Sequence, residues 1–309
     1  MLGWRMRGAF RRHEILASGL LPLAFALFTS AVHAADVSYI IQQAETGFFA
    51  GGGVLYQHYT EVGSSGAALD TETGSIPAFT VGVSGMTTNP RGGFYWRAAY
   101  TRANGSTNYS GHYVSGAPAQ TTTTNTISEF RGRLGDAFGI GRALGVPTAI
   151  IPYLGLGFHH WTRNVGNGSG LGGIEQYADS HIGIGLLGDV AVSRHWVLGI
   201  HLLEGYTFGA QLQATLPMVV DTSTNQEYSV AGTHALGDRP YWDVGLKAVY
   251  LIDPVWRVYL HVRRTTFHYG ASSPTPIFDQ NGVFTGYYTQ EPNSSTVQTL
   301  TTIGVAARF

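Results

Sequence analysis

No cysteine occurs in the 309 residues, which excludes a disulfide framework and any thiolate metal centre. Charge is equally scarce. Asp, Glu, Lys and Arg make up 12% of the chain, where a soluble protein carries roughly a quarter. Lys247 is the single lysine among 18 cations, the others being arginines that keep their charge in any surroundings and fork onto carboxylates. The cations form no basic stripe, so no nucleic-acid partner is expected. After the first thirty residues, no stretch approaches the roughly 18 consecutive apolar residues of a membrane helix. Abundant instead are glycine, at 42 residues, and aromatics, at 12%.

The amino-terminal segment reads as a cleaved signal peptide, residues 1–34. Arg5, Arg7, Arg11 and Arg12 precede an apolar run from Ile15 to Phe28, and Val32-His33-Ala34 offers a small-residue cleavage site. The run is too short to span a bilayer about 30 Å thick. Its removal takes four Arg and Glu14 from the 18 cations and 19 anions, leaving a mildly acidic mature chain of 14 and 18. Residues 35–46 are expected to be a periplasmic lead-in.

From 47 onward the sequence alternates with a period of two, the signature of strands with two unlike faces. The last segment is the clearest. Phe309, Ala307, Val305, Ile303, Thr301, Thr299 and Val297 share one face, and Arg308, Ala306, Gly304 and Thr302 share the other. Nine further segments precede it, beginning near Phe48, Phe79, Phe94, Glu129, Tyr153, Asp179, Trp196, Trp242 and Trp256. Their connections alternate. Long, polar gaps occupy Glu61–Ser75, Asn104–Asn125, Asn164–Gly173, Gln211–Arg239 and Gly270–Ser295. Short ones are built on Thr88-Asn89-Pro90-Arg91-Gly92, Gly139–Pro147, Ser193-Arg194-His195 and Asp253-Pro254. Gln280-Asn281-Gly282-Val283 reads as a tight hairpin at a loop tip.

The terminal strand with its final Phe309 resembles that of Gram-negative outer-membrane β-barrels, and the resemblance implies an assembly signal read by the barrel-assembly machinery. An even strand number, short turns at one end and long loops at the other fit that class. The expected fold is therefore all-β: a transmembrane antiparallel up-and-down barrel of ten strands, over residues 47–309, with eight or twelve as alternatives. Both termini would lie in the periplasm, and outer-membrane lipid and lipopolysaccharide would surround the wall. A closed sheet satisfies every backbone N–H and C=O inside hydrocarbon. Trp196, Trp256, Phe138 and Phe309 are assigned to one interfacial girdle, and Tyr100, Tyr177, Phe208, Trp242 and Tyr269 to the other.

The face opposite the apolar one defines the lumen. It carries Arg97, Glu129, Arg131, Arg133, Asp189, Asp243, Lys247, Arg257, His261, Arg263 and Arg308. A barrel this narrow holds little beyond its own side chains. Two readings follow: a polar network that plugs the lumen, or a narrow Arg-lined pore favouring anions. Gly155, Gly157, Gly183 and Gly185 read as small lumenal residues that let the wall curve. Glu204 falls on the apolar parity and is a misfit.

Candidate chemistry gathers on the fifth and sixth strands. His159, Trp161 and Arg163 share the lumenal face of one, and Asp179 and His181 that of the next. A carboxylate beside an imidazole orients it or tunes it as a base. This Asp-x-His resembles half of the site of omptin proteases, which are also ten-stranded outer-membrane barrels. The second acidic pair that the resemblance calls for finds only Asp70-Thr71-Glu72 here. His159 and His181 are also candidate metal ligands from adjacent strands. No cofactor is expected. The long loops are the remaining surface for an extracellular ligand.

Overall fold

A computed structural model describes residues 37–63, 65–87, 93–112, 118–143, 145–166, 173–215, 219–221, 226–228, 231–278 and 283–309. The expected signal peptide, the expected turn at 88–92, most of the expected glycine-rich loop (167–172) and the expected Gln280-Asn281-Gly282 tip lie outside them.

Among the described residues, fifteen strands and one helix follow in chain order. The helix α1 (Tyr39–Glu45) leads into β1 (Gly47–Val62), β2 (Ala68–Met86), β3 (Gly93–His112), β4 (Pro118–Ala143), β5 (Val146–Val165), β6 (Ile174–Ala191) and β7 (Trp196–Thr215). Three short strands follow, β8 (Val219–Asp221), β9 (Gln226–Tyr228) and β10 (Ala231–Ala235). After β11 (Pro240–Leu251) and β12 (Trp256–Tyr269) come a small hairpin, β13 (Thr275–Phe278) with β14 (Phe284–Thr289), and the closing strand β15 (Asn293–Ala307). β1 to β7, β11, β12 and β15 each pair antiparallel with two neighbours and close on themselves, which makes ten barrel strands. Closure joins the chain's first and last strands, with Phe48 opposite Ala307 and Val62 opposite Asn293. β10 is an extra strand laid along the upper part of β7, above the point where β11 begins.

Burial alternates along the strands as the period of two predicts, but the apolar side faces out. Phe130, Leu156, Ile184, Ile200, Leu246 and Ile303 are exposed, whereas Arg163, Glu72, Asp189 and Asp243 are buried. An apolar exterior around a charged interior is stable where the surroundings are hydrocarbon, and it defines a membrane-type barrel. Trp196, Trp256 and Phe309 do stand on the exposed face at the short-turn end, and Phe208 toward the other. Tyr177 and Tyr269 do not: both are buried and stacked on each other, with ring centroids 5.3 Å apart. Tyr177 shares the parity of Asp179 and Tyr269 that of Arg263, so alternation carries them inward and the girdle assignment for these two fails.

The long gaps are shorter than their polarity suggests. β3 continues to His112 and β4 starts at Pro118, so most of the expected loop Asn104–Asn125 is paired strand, Thr107 opposite Thr123. Likewise β2 starts at Ala68, inside the expected Glu61–Ser75 gap. Threonine-rich alternation favours strand whatever its polarity. β4 reaches 26 residues, where a tilted crossing takes about nine to eleven. The sheet therefore rises above the apolar belt as a polar tower.

The lead-in also differs from a plain tether. Residues of α1 are good helix formers without Gly or Pro, and the helix enters the short-turn mouth of the barrel, burying Ile41 and Ala44. Gln42 donates to the Met86 carbonyl at 3.0 Å and Gln43 to that of Pro254 at 3.3 Å. Arg308, placed with the lumen by parity, instead donates to the Tyr39 hydroxyl at 2.7 Å in an exposed contact at this mouth. It lies just past the end of β15, where the wall no longer dictates its direction. Glu204 is on the outer wall, half-exposed between Ile184 of β6 and Trp242 of β11.

Candidate functional site: the charged lumen

Four layers of polar side chains fill the barrel from tower to helix. The top layer centres on Arg163 of β5, which is fully buried. Its Nε donates to Glu72 at 3.1 Å and its Nη1 to Glu175 at 2.7 Å and Glu61 at 3.5 Å. The guanidinium also lies over the Tyr59 ring, 4.3 Å from its centroid. Glu72 accepts further bonds from Thr107 and Asn125, both at 2.7 Å, and Asn125 in turn accepts from the Trp161 indole at 2.6 Å. Charged hydrogen bonds of this kind are short and strong. Trp161, Tyr177 and Tyr269 stack one below another beside the cluster.

Glu291, in the segment between β14 and β15, joins this layer by accepting from the Tyr177 hydroxyl at 2.8 Å. Its backbone N–H is tied to Ser272 at 2.9 Å. Burial, and then the charges of Glu61 and Glu175, push its carboxyl well above the ordinary 4.5; Arg163 only partly offsets them. A raised folded pKa means that the stabilisation is complete below the ordinary carboxylate value and is lost as pH climbs through the elevated one. The unfolding midpoint is thus expected to fall as buffer goes from mildly acidic to mildly alkaline. Glu291→Gln should remove part of that fall, since Glu61 and Glu175 crowd the same layer and remain. Thermal melts of both proteins across that range check it; parallel curves would refute the role given to Glu291.

The second layer holds the candidate catalytic and metal residues. Asp179 pairs with His159, Oδ2 to Nδ1 3.2 Å, and accepts from Tyr269 at 2.6 Å. His181, two residues along β6, does not bond Asp179. It lies flat on Tyr241, with centroids 4.2 Å apart. Gly157 makes that possible, because a Cβ there would sit 2.3 Å from the His181 ring. Asp179, His159 and His181 are all buried. Glu72, of the acidic pair the omptin resemblance needs, is committed to Arg163. Among the described residues, no three His, Asp or Glu side chains are placed to hold a metal ion.

The third layer lies within the membrane belt. Glu129 takes Arg131 Nε at 2.6 Å and Arg263 at 2.5 Å. Asp243 accepts from Arg131 at 2.7 Å and His201 at 2.6 Å, and has Arg133 at 3.7 Å and Arg263 at 3.8 Å. His201 is admitted by Gly245, where a Cβ would stand 2.1 Å from its ring. His261 faces His201, with ring centroids 5.5 Å apart. In the fourth layer Lys247 bridges Asp189, at 2.9 Å, and Glu45 of α1. Burial raises the Glu45 carboxyl, but Lys247 and Arg97 outweigh it and hold the group below 4.5. Arg97 and Arg257 line the space between these layers.

Of the residues expected on the lumenal face, all but Arg308 are therefore brought inside the wall. Those not singled out are Glu45, Glu61, Glu175 and Glu291. The parity of Tyr177, Asp179 and His181 extends to Glu175, so that one was within reach of the pattern. Glu61 lay in a segment assigned to a loop, and Glu45 and Glu291 belong to no barrel strand.

No family model matches the chain, and neither does any curated protein. Among solved structures it is similar to the outer membrane protease OmpT of Escherichia coli, at 13% identity over 85% of this chain and 97% of that one, with a TM-score of 0.47. It is similar also to the outer membrane protein OprG of Pseudomonas aeruginosa, at 10% identity over 87% and 98%, TM-score 0.31. A third is Ail, the attachment invasion locus protein of Yersinia pestis, at 6% identity over 86% and 99%, TM-score 0.25.

Proposed function

We propose that this is an integral outer-membrane barrel with a structural or surface-interaction role, its lumen closed by its own side chains. One observation carries the reading: the four layers and α1 follow each other along the lumen, with most of their charges paired and several of their rings stacked. Two lumenal cavities measure about 40 and about 60 Å³, room for a handful of waters each. In this reading the helical mouth and both chain ends are periplasmic, Phe309 is the assembly signal, and the tower is the surface offered to an extracellular ligand. Lipid and lipopolysaccharide would contact the belt.

The narrow anion pore is the second reading, favoured by the guanidinium groups of Arg97, Arg131, Arg133 and Arg263 around the smaller cavity. A peptidase of omptin type fits less well, because Asp179 and His159 are buried and Asp179 is already engaged by His159 and Tyr269. Planar-bilayer conductance of the refolded mature protein decides between plug and pore. The plug predicts a heat-modifiable barrel that stays electrically silent. Stable, anion-selective steps would replace it by the pore.

A further inference from the structure

Six cations line or adjoin the two lumenal cavities: Arg97, Arg131, Arg133, Lys247, Arg257 and Arg263. Four carboxylates answer them, Glu45, Glu129, Asp189 and Asp243. Two positive charges are left over, and the ion pairs show where. Among the described residues neither Arg97 nor Arg257 makes a salt bridge, Arg97 only resting on the Phe49 ring at 4.0 Å. Arg257 is buried all the same. Tyr95 and Tyr259 line the larger cavity as well, and their hydroxyls are buried without a hydrogen-bond partner, that of Tyr259 lying over Gly51 and Gly304. Glu45 reaches the same cavity with one oxygen, but it already answers Lys247.

Unpaired cations and idle donors gathered around one lumenal space are costly where the surroundings are of low dielectric. Guanidinium forks and phenol hydroxyls share one complement, a small tetrahedral oxyanion. We propose that the cavity of about 60 Å³ binds one inorganic phosphate or sulfate, held by Arg97 and Arg257, with the Tyr95 hydroxyl as a further donor. The bound charge completes the lumenal balance. The space lies on the lumenal side of the wall beside Ala44 and Glu45 of α1, away from the lipid-facing side, so the ligand is the free ion and not the phosphate of a lipid headgroup. The site goes beyond the closed-lumen reading and does not depend on it.

The test titrates the detergent-folded mature protein with sodium phosphate against sodium chloride at matched ionic strength, reading the thermal unfolding midpoint. A ligand bound only by the folded state raises the midpoint by about 2–4 °C for each tenfold increase above its dissociation constant. Arg257→Gln and Arg97→Gln are expected to lose most of that rise, while Arg102→Gln, an exposed outer-wall change, keeps it. Retention of radiolabelled phosphate by the wild-type protein, near one per chain, supports the site even if a variant does not fold. Phosphate acting no better than chloride, or Arg257→Gln keeping the full rise, overturns it. Conductance separates this from closure: a conducting protein with the phosphate effect loses only the plug, and a silent one without it loses only the site.

Discussion

Arg163→Met is expected to cost about 3–5 kcal/mol, because it removes the cation that answers the fully buried Glu72 and the mostly buried Glu61 and Glu175. Glu72 is as completely buried as Arg163, and Glu175 and Glu61 share the same guanidinium at 2.7 and 3.5 Å. Methionine keeps the length and apolar stem of the side chain, so the loss is electrostatic and not a cavity. The damage should stay in the tower. The belt below has its own ladder hydrogen bonds and apolar exterior, and the variant should still insert and migrate as a folded barrel. Hydrogen exchange is the measurement: amides of 59–62, 70–73 and 107–109 should lose protection while those of 198–202 and 244–248 keep it. Pairing the change with Glu72→Gln should restore at least half the loss, since removing both partners of a buried pair costs far less than removing one. A variant as stable as the parent would show that the carboxylates are hydrated and the tower is not packed as described.

Asp243→Asn should be of similar size, about 3–5 kcal/mol, with a different consequence. Asp243 is the only carboxylate in contact with Arg133 and shares Arg131 and Arg263 with Glu129. The amide still accepts from Thr265 or His201, now at 3.0 and 2.6 Å from the carboxylate, but it no longer balances three guanidinium groups. Those groups repel one another inside the belt, where the effective dielectric is low. Refolding yield in lipid should drop and the unfolding midpoint with it. In the closed-lumen reading the loosened layer should also let anions through, so the variant gains conductance that the parent lacks. An Asp243→Asn protein that is destabilised yet silent would mean that other layers alone seal the lumen.

Much of this architecture was legible before any coordinates. A wall residue in a barrel has only two directions, so parity alone placed Arg131, Arg133, Asp243, Lys247 and Arg263 inside, and Ile303, Val305 and Leu246 outside. The ten strands and the alternation of connections came from the same pattern. Where parity was overlooked, at Tyr177 and Tyr269, aromaticity had been taken for an interfacial position, though both lie on the charged side of their strands. Where polarity was taken for loop, at Asn104–Asn125, the threonines were forming strand above the membrane.

Pattern along one strand does not say which side chains meet across the lumen. Asp179 sits two residues from His181 in sequence, yet its partner is His159 on the neighbouring strand, because Gly157 lets the His181 ring fold away onto Tyr241. Arg163 collects Glu72 from β2, Glu175 from β6 and Glu61 from β1, and the distance between those residues in the chain has no bearing on the match. The helix that closes the mouth and delivers Glu45 to Lys247 lies outside the alternating segments altogether. The sequence by itself determined the wall, since a period of two, a hydrocarbon exterior and the need to pair every backbone group leave one kind of solution. Only the tertiary structure decided the interior, because charge partners there are set by register and by barrel closure, which bring together strands remote in the chain.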